Sequence, residues 1–212
     1  MTREALIFMT ALLLVGAGCA PAKQVFDSEV AQTPGEEPAL TFTYPDRQEE
    51  PPMPTWEFPG VLPTEQIAGK QVRISTQKGE IVFELFADTA PATVSNFVYL
   101  TTGGYYNGLT FHRREPGFVI QGGDPNGNGT GGPGYTIEEE TNDSYTYDRG
   151  IVAMAKTTEP HSTGSQFFIM LGDEPLPKEY SIFGRVVEGM EVVDAIAVGD
   201  VMTSVTVEDR AE

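Results

Sequence analysis

Apolar residues between positions 70 and 210 fall into short runs with two distinct periods. Val72-Arg73-Ile74-Ser75-Thr76 alternates apolar with polar, the period of a strand with one buried face. Gln77-Lys78-Gly79-Glu80 reads as a turn and residues 81–86 as a second strand, so the two predict a hairpin. Short apolar runs recur at 110–112, 119–121, 151–154, 167–169, 182–186 and 205–207. Many short strands at this spacing suggest a sandwich or a barrel, and the pattern alone does not choose between them. Two segments carry a helical period instead. Pro91 stands where a first helical turn tolerates it, Val94, Phe97, Val98 and Thr101 share one face, and Gly103-Gly104 ends the segment. Residues 190–197 form the second, with Met190, Val193 and Ile196 inward and Gly199 as the stop.

The first 67 residues follow neither period. Arg3 precedes a nearly all-apolar run, residues 5–15, which is too short to span a bilayer because spanning takes ~20 apolar residues. It fits the apolar core of a signal peptide. Gly16, Ala17 and Gly18 lead to Cys19, and this arrangement resembles a bacterial lipoprotein signal in which Cys19 becomes the lipidated first residue. Gly16 departs from that pattern, which usually has an aliphatic residue there. From residue 20 to 67 prolines interrupt any regular element, at 21, 34, 38, 45, 51, 52, 54, 59 and 63, and acidic pairs occur at 36–37 and 49–50. The expected organisation is a signal peptide at 1–18, a largely disordered acidic tether at 19–67 and a folded domain at 68–212. Trp56 and Phe58 lie within the tether, and the sequence leaves open whether they dock on the domain. The expected location is the extracytoplasmic side of a cell envelope, held to the membrane by a lipid on Cys19; a secreted soluble protein is the alternative.

Composition narrows the partners. The 212 residues carry a net charge of −18, and a nucleic-acid site needs clustered Lys and Arg, so no nucleic-acid partner is expected. A single cysteine excludes an intramolecular disulfide and a cysteine-built zinc site. Gly127-Asn128-Gly129-Thr130-Gly131-Gly132 satisfies the spacing of a dinucleotide loop, but Pro133-Gly134 follows where a helix should begin, so a tight surface loop beside the functional groove is expected instead. Glu138-Glu139-Glu140 reads as a solvated acidic patch rather than a cation site. Ser165 has no nucleophile-elbow pattern around it, and His112 is expected to be a hydrogen-bonded structural residue.

Two segments carry the chemistry. In residues 111–124, Phe111-His112-Arg113-Arg114-Glu115-Pro116-Gly117-Phe118-Val119-Ile120-Gln121-Gly122-Gly123-Asp124, a guanidinium, an aromatic ring and a carboxamide lie on one short stretch. Gly164-Ser165-Gln166-Phe167-Phe168-Ile169 adds a second carboxamide and two more rings. Together these resemble the two signature segments of cyclophilins, the peptidyl-prolyl cis-trans isomerases, over about residues 70–208. The resemblance implies an all-β fold, a closed eight-stranded antiparallel barrel capped by two helices. It implies isomerisation of X–Pro bonds in exported or envelope proteins by a monomer that needs no cofactor and no metal. The alternative is a module that holds proline-containing segments, with catalysis incidental.

Residue by residue, the resemblance makes Arg113 the catalytic donor. Phe118, Val119, Phe168 and Leu176 would form the pocket for the proline ring. Gln121 and Gln166 would hold the peptide and orient Arg113, and Ala155 and Lys156 would line the groove ahead of the proline. Tyr180 stands where members carry His or Tyr. Phe167 neighbours Phe168 on a strand and must face the other way, into the core. Two positions depart from the family: Pro175 replaces a tryptophan found in many eukaryotic members, and Val119 replaces a frequent methionine.

Overall fold

The computed structural model describes residues 55–210. The expected signal peptide, Cys19 and residues 20–54 of the tether lie outside these residues.

Every short apolar run has become a strand. The eight are β1 (Lys70–Thr76), β2 (Gly79–Leu85), β3 (Phe111–Glu115), β4 (Val119–Gly122), β5 (Ile151–Met154), β6 (Phe167–Met170), β7 (Ile182–Glu188) and β8 (Ser204–Asp209). They form one curled antiparallel sheet in the order β3-β4-β6-β5-β7-β2-β1-β8. The expected hairpin is β1–β2, paired from Gln71 with Glu84 to Thr76 with Gly79.

Alternation along the strands sorts side chains onto two faces, and both are buried in part. Val72, Ile74, Phe83, Ile120, Val152, Phe167, Ile169 and Phe183 belong to a large interior cluster. At its centre Phe97 packs against the rings of Phe83, Tyr106, Phe167 and Phe183. Val119, Ile151, Ala153, Phe168, Met170 and Ile182 form a smaller cluster on the opposite face. β5 and β6 are buried on both sides. That is why they read as unbroken apolar runs rather than as alternation.

The sheet does not close into a continuous ladder. Among the described residues no strand pairing joins β3 to β8, the two ends of the sheet. The segments preceding them are held by one bridge, Thr110 to Val201, flanked by backbone hydrogen bonds. Gly108 N–H donates to Met202 O at 2.8 Å, Met202 N–H to Leu109 O at 2.9 Å and Phe111 N–H to Asp200 O at 2.9 Å. The closed barrel implied by the resemblance is therefore corrected to an open curled sheet with a bridged seam.

Both expected helices are present, as α2 (Pro91–Thr102) and α3 (Met190–Ala195), and a third, α1 (Thr64–Ile67), precedes them. Two expectations need correction here. The tether does not run to residue 67: residues 56–67 pack on the domain, with Ile67 buried and Leu62 N–H donating to Ser95 Oγ at 2.9 Å. Trp56 meets Tyr99 and Tyr105 edge-on, at 5.6 and 5.5 Å between ring centroids. Nor is α2 buried on a single stripe, since Thr93 through Val98 are all buried. The segment ahead of β1 covers part of its outer side.

Two members of the acidic triplet are likewise structural rather than solvated, while Glu138 is exposed. Glu140 accepts from Ala92 N–H at 3.0 Å and Thr93 N–H at 2.7 Å, orphan donors in the first turn of α2 that no N-cap side chain satisfies. Glu139 accepts from His161 N–H at 3.0 Å and Ser162 N–H at 3.2 Å. Glu140→Ala should lower stability by about 0.5–2 kcal/mol, the range for losing a helix N-cap. Chemical denaturation checks this, and an unchanged midpoint would show that water replaces the carboxylate.

Candidate active site

The site begins with a bulge. Between Phe111 and Arg113 the β3–β4 register slips, so that Phe111 faces Gly122 and Arg113 faces Gln121, leaving His112 as the extra residue. Strict alternation would turn neighbours to opposite faces; the bulge lets both His112 and Arg113 line the same groove. Across the sheet the register continues from Gln121 to Phe168 and from Phe168 to Ala153. Arg113, Gln121, Phe168 and Ala153 thus form one cross-strand row over β3, β4, β6 and β5.

The groove encloses about 540 Å³. Its floor and walls bring together Arg113, Phe118, Val119, Gln121, Ala155, Lys156, Phe168, Leu176 and Tyr180. Of the expected site residues only Gln166 lies outside this groove. It sits in an adjoining hollow of about 920 Å³ that shares Gln121, Gly129, Ala155 and Lys156 with the first.

The polar groups are chained. Arg113 Nη1 donates to Gln121 Oε1 at 3.3 Å, and Gln121 Nε2 donates to Gln166 Oε1 at 2.9 Å. Gln166 Nε2 donates in turn to Gly129 O at 3.0 Å and Gly131 O at 2.9 Å. Arg113 Cζ lies 6.0 Å from the Phe118 ring centroid, and Arg113 Nε is 3.6 Å from Glu115 Oε1. That ion pair is about half exposed on both sides, so solvent screens it and the guanidinium keeps donors for another partner. The apolar end is fixed by packing. Tyr180 meets Phe168 edge-on at 5.5 Å, and its backbone N–H donates to Tyr147 Oη at 3.2 Å.

His112 departs from expectation. Among the described residues neither ring nitrogen has a hydrogen-bond partner. Burial pushes its pKa down and the Arg113 charge adds to this, with Asp124 opposing. A neutral imidazole beside the guanidinium follows. Asp124 anchors the glycine-rich loop, accepting from Asn126 N–H at 2.8 Å, Asn128 N–H at 2.9 Å and Gly129 N–H. Burial raises its pKa, but these donors and His112 outweigh burial and leave it below the usual carboxylate range. The loop is a wall of the site, not a dinucleotide cradle, and no helix follows it. A Cβ on Gly131 would overlap Asp124 Oδ1, which is why that position is glycine. The loop lies beside the groove as expected, and within it Asn128 and Gly129, not named as site residues from the sequence, line the groove itself. The only available signal was their position in a loop following the first motif.

Chemically, the groove offers a fixed cationic donor over an apolar floor and a line of carboxamides along its length. Ser165 does not form a nucleophile–base pair: its hydroxyl donates to Gly123 O at 2.7 Å and pairs with Tyr105 Oη at 2.9 Å. Such a site suits a reaction that holds a peptide and redistributes charge without breaking a covalent bond.

The family model for cyclophilin type peptidyl-prolyl cis-trans isomerases matches residues 71–211. The chain belongs to this family. It is 48% identical over 131 residues to peptidyl-prolyl cis-trans isomerase B of Bacillus subtilis, covering 61% of this chain and 91% of the relative. A peptidyl-prolyl cis-trans isomerase of Helicobacter pylori is 47% identical over 136 residues, covering 62% and 83%. Among solved structures, a cyclophilin type isomerase of Cryptosporidium parvum determined in the presence of the dipeptide Ala-Pro superposes with a TM-score of 0.61. It is 35% identical, and the match spans 65% of this chain and 98% of that one. The activity is peptidyl-prolyl cis-trans isomerisation.

Proposed function

We propose that the chain accelerates X–Pro isomerisation in exported or envelope proteins and thereby assists their folding. Uncatalysed isomerisation takes ~10–100 s at 25 °C and is held back by a barrier of about 20 kcal/mol. In the twisted transition state the prolyl nitrogen loses amide resonance and gains a usable lone pair. A preorganised donor aimed at that lone pair binds the twisted state better than either planar one. Arg113 takes this role, since it is permanently charged and its planar donors are held by Gln121. Phe118, Val119, Phe168 and Leu176 receive the proline ring. The residue before proline lies along Ala155 and Lys156, and the adjoining hollow takes residues further toward the amino end. The observation that carries this reading is the single row of Arg113, Gln121 and Phe168 across three paired strands. A protease-coupled or NMR-exchange assay on a short X–Pro peptide tests it, and no acceleration over the uncatalysed rate would overturn it.

The cellular setting rests on residues 1–54 and is part of the proposal. Cys19 carries the lipid, the proline-rich acidic stretch spaces the catalytic unit from the membrane, and the enzyme acts as a monomer. One acyl chain binds membranes only marginally, whereas two or more anchor stably, as a diacylglyceryl cysteine would. Cys19→Ala should therefore shift the protein from the membrane fraction to the soluble one or leave it unprocessed. Mass spectrometry of the native protein decides the matter: an N-terminus other than Cys19, or an unmodified cysteine, removes the basis for the anchor.

A further inference from the structure

The segment ahead of β1 lies before the family match, which begins at residue 71, yet it is packed against the rear of the site. One of its rings, Phe58, meets a residue that lines the second hollow, and the other, Trp56, meets a residue hydrogen-bonded to that lining. Trp56 is wedged between Tyr99 and Tyr105, edge-on to both. The Tyr105 hydroxyl lies 2.9 Å from Ser165 Oγ, in the wall of the hollow. Phe58 lies 6.3 Å from Tyr135, a lining residue, with the rings tilted by 33°. Tyr135 donates its hydroxyl to Asn96 Oδ1 at 2.6 Å, and Asn96 Nδ2 donates to Gly164 O at 2.8 Å. Both routes therefore end on Gly164-Ser165, directly before Gln166, the carboxamide tied to Gln121 and through it to Arg113. The place for Trp56 is made by Gly103, where a Cβ would sit 2.5 Å from Trp56 Cζ3 although the backbone φ of −78° suits any residue.

We propose that Trp56 and Phe58 are positioning residues that set how tightly the second hollow holds peptide residues on the amino side of the target proline. This rests on the isomerase reading above. Neither ring touches the substrate. They brace Tyr105 and Tyr135 from behind, so the wall carried by Gly164-Ser165-Gln166 stays at the width that an extended peptide meets. A peptide that ends at the residue before proline does not reach this wall and is indifferent to them.

Trp56 is the only tryptophan in the chain, which makes its emission a direct reporter. The full-length protein is titrated with two probes: a blocked four-residue peptide whose first residue is the X of X–Pro, and the same peptide with four more residues on its amino side. The extended peptide should change Trp56 emission saturably and the short one should leave it unaltered. Phe58→Ala should raise KM for the extended peptide by about five- to tenfold, the low end of coupling between sites. It should leave kcat/KM for the short peptide within about twofold, as expected of a surface change outside the site. Phe58→Tyr, which keeps the ring, should restore the extended-peptide KM. Equal losses on both peptides, no loss on either, or a silent Trp56 would overturn the proposal. Failure of the unsubstituted protein to turn over the short peptide instead defeats the isomerase reading itself.

Discussion

Arg113→Ala should lose about 100–1,000-fold in isomerisation rate, the ~2.7–4 kcal/mol that one preorganised transition-state donor supplies. The fold should persist, because Arg113 is exposed on a strand at the end of the sheet and its side-chain partners are Gln121 and the screened Glu115. Gln121 retains its bond to Gln166 in the variant, so the second carboxamide stays placed. Lys at this position should not rescue the rate, because an ammonium on a flexible stem cannot keep one donor on Gln121 while aiming another at the prolyl nitrogen. The check is the coupled assay on purified variants with matching melting curves. More than about half the parent rate in Arg113→Ala would exclude the mechanism, since the loss would then be far below the roughly 100-fold minimum for a preorganised transition-state donor.

The second large effect separates two neighbours. Phe167 is fully buried in the interior, against Phe97, Tyr106 and Phe111, whereas Phe168 faces the groove beside Tyr180. Phe167→Ala should cost about 3–5 kcal/mol of stability, the range for truncating a buried aromatic, with peptide affinity of the folded fraction little changed. Phe168→Ala should weaken peptide binding and turnover directly. Its stability loss should fall toward the lower end, because the vacated space opens onto solvent rather than leaving a sealed void. Titration with a proline peptide alongside urea denaturation distinguishes the two. The opposite assignment of effects would mean that the faces of β6 have been reversed.

The strands were legible because their signals are local. Each apolar run is closed by glycine, proline or a polar cluster, and α2 is bracketed by Pro91 and Gly103. The groove was legible through resemblance, since its residues sit in two compact motifs. What escaped depends on pairs far apart in the chain. The bulge that turns His112 into the groove is a property of the register between β3 and β4, not of either strand alone. Its imidazole has no partner among the described residues, against the expectation of a hydrogen bond. Glu139 and Glu140 look solvated until the loop at 161–163 and the start of α2 bring their donors. Prolines at 59 and 63 correctly forbid a strand or a long helix there. They do not forbid packing, and Trp56 finds its niche at a glycine 47 positions later.

That niche bears on how relatives of this protein can be read. Gly103 terminates α2 with a backbone angle open to every residue type, so neither turn geometry nor helix termination demands glycine there. The demand comes from the indole alone. A homologous chain with any side chain at this position cannot seat a tryptophan as Trp56 is seated, whatever precedes its first strand. One position inside the catalytic unit thus serves as a marker for an appendage outside it. Chains that combine a glycine here with an aromatic residue some fifteen positions ahead of the first strand keep the room for such a seating, and chains with a side chain here do not.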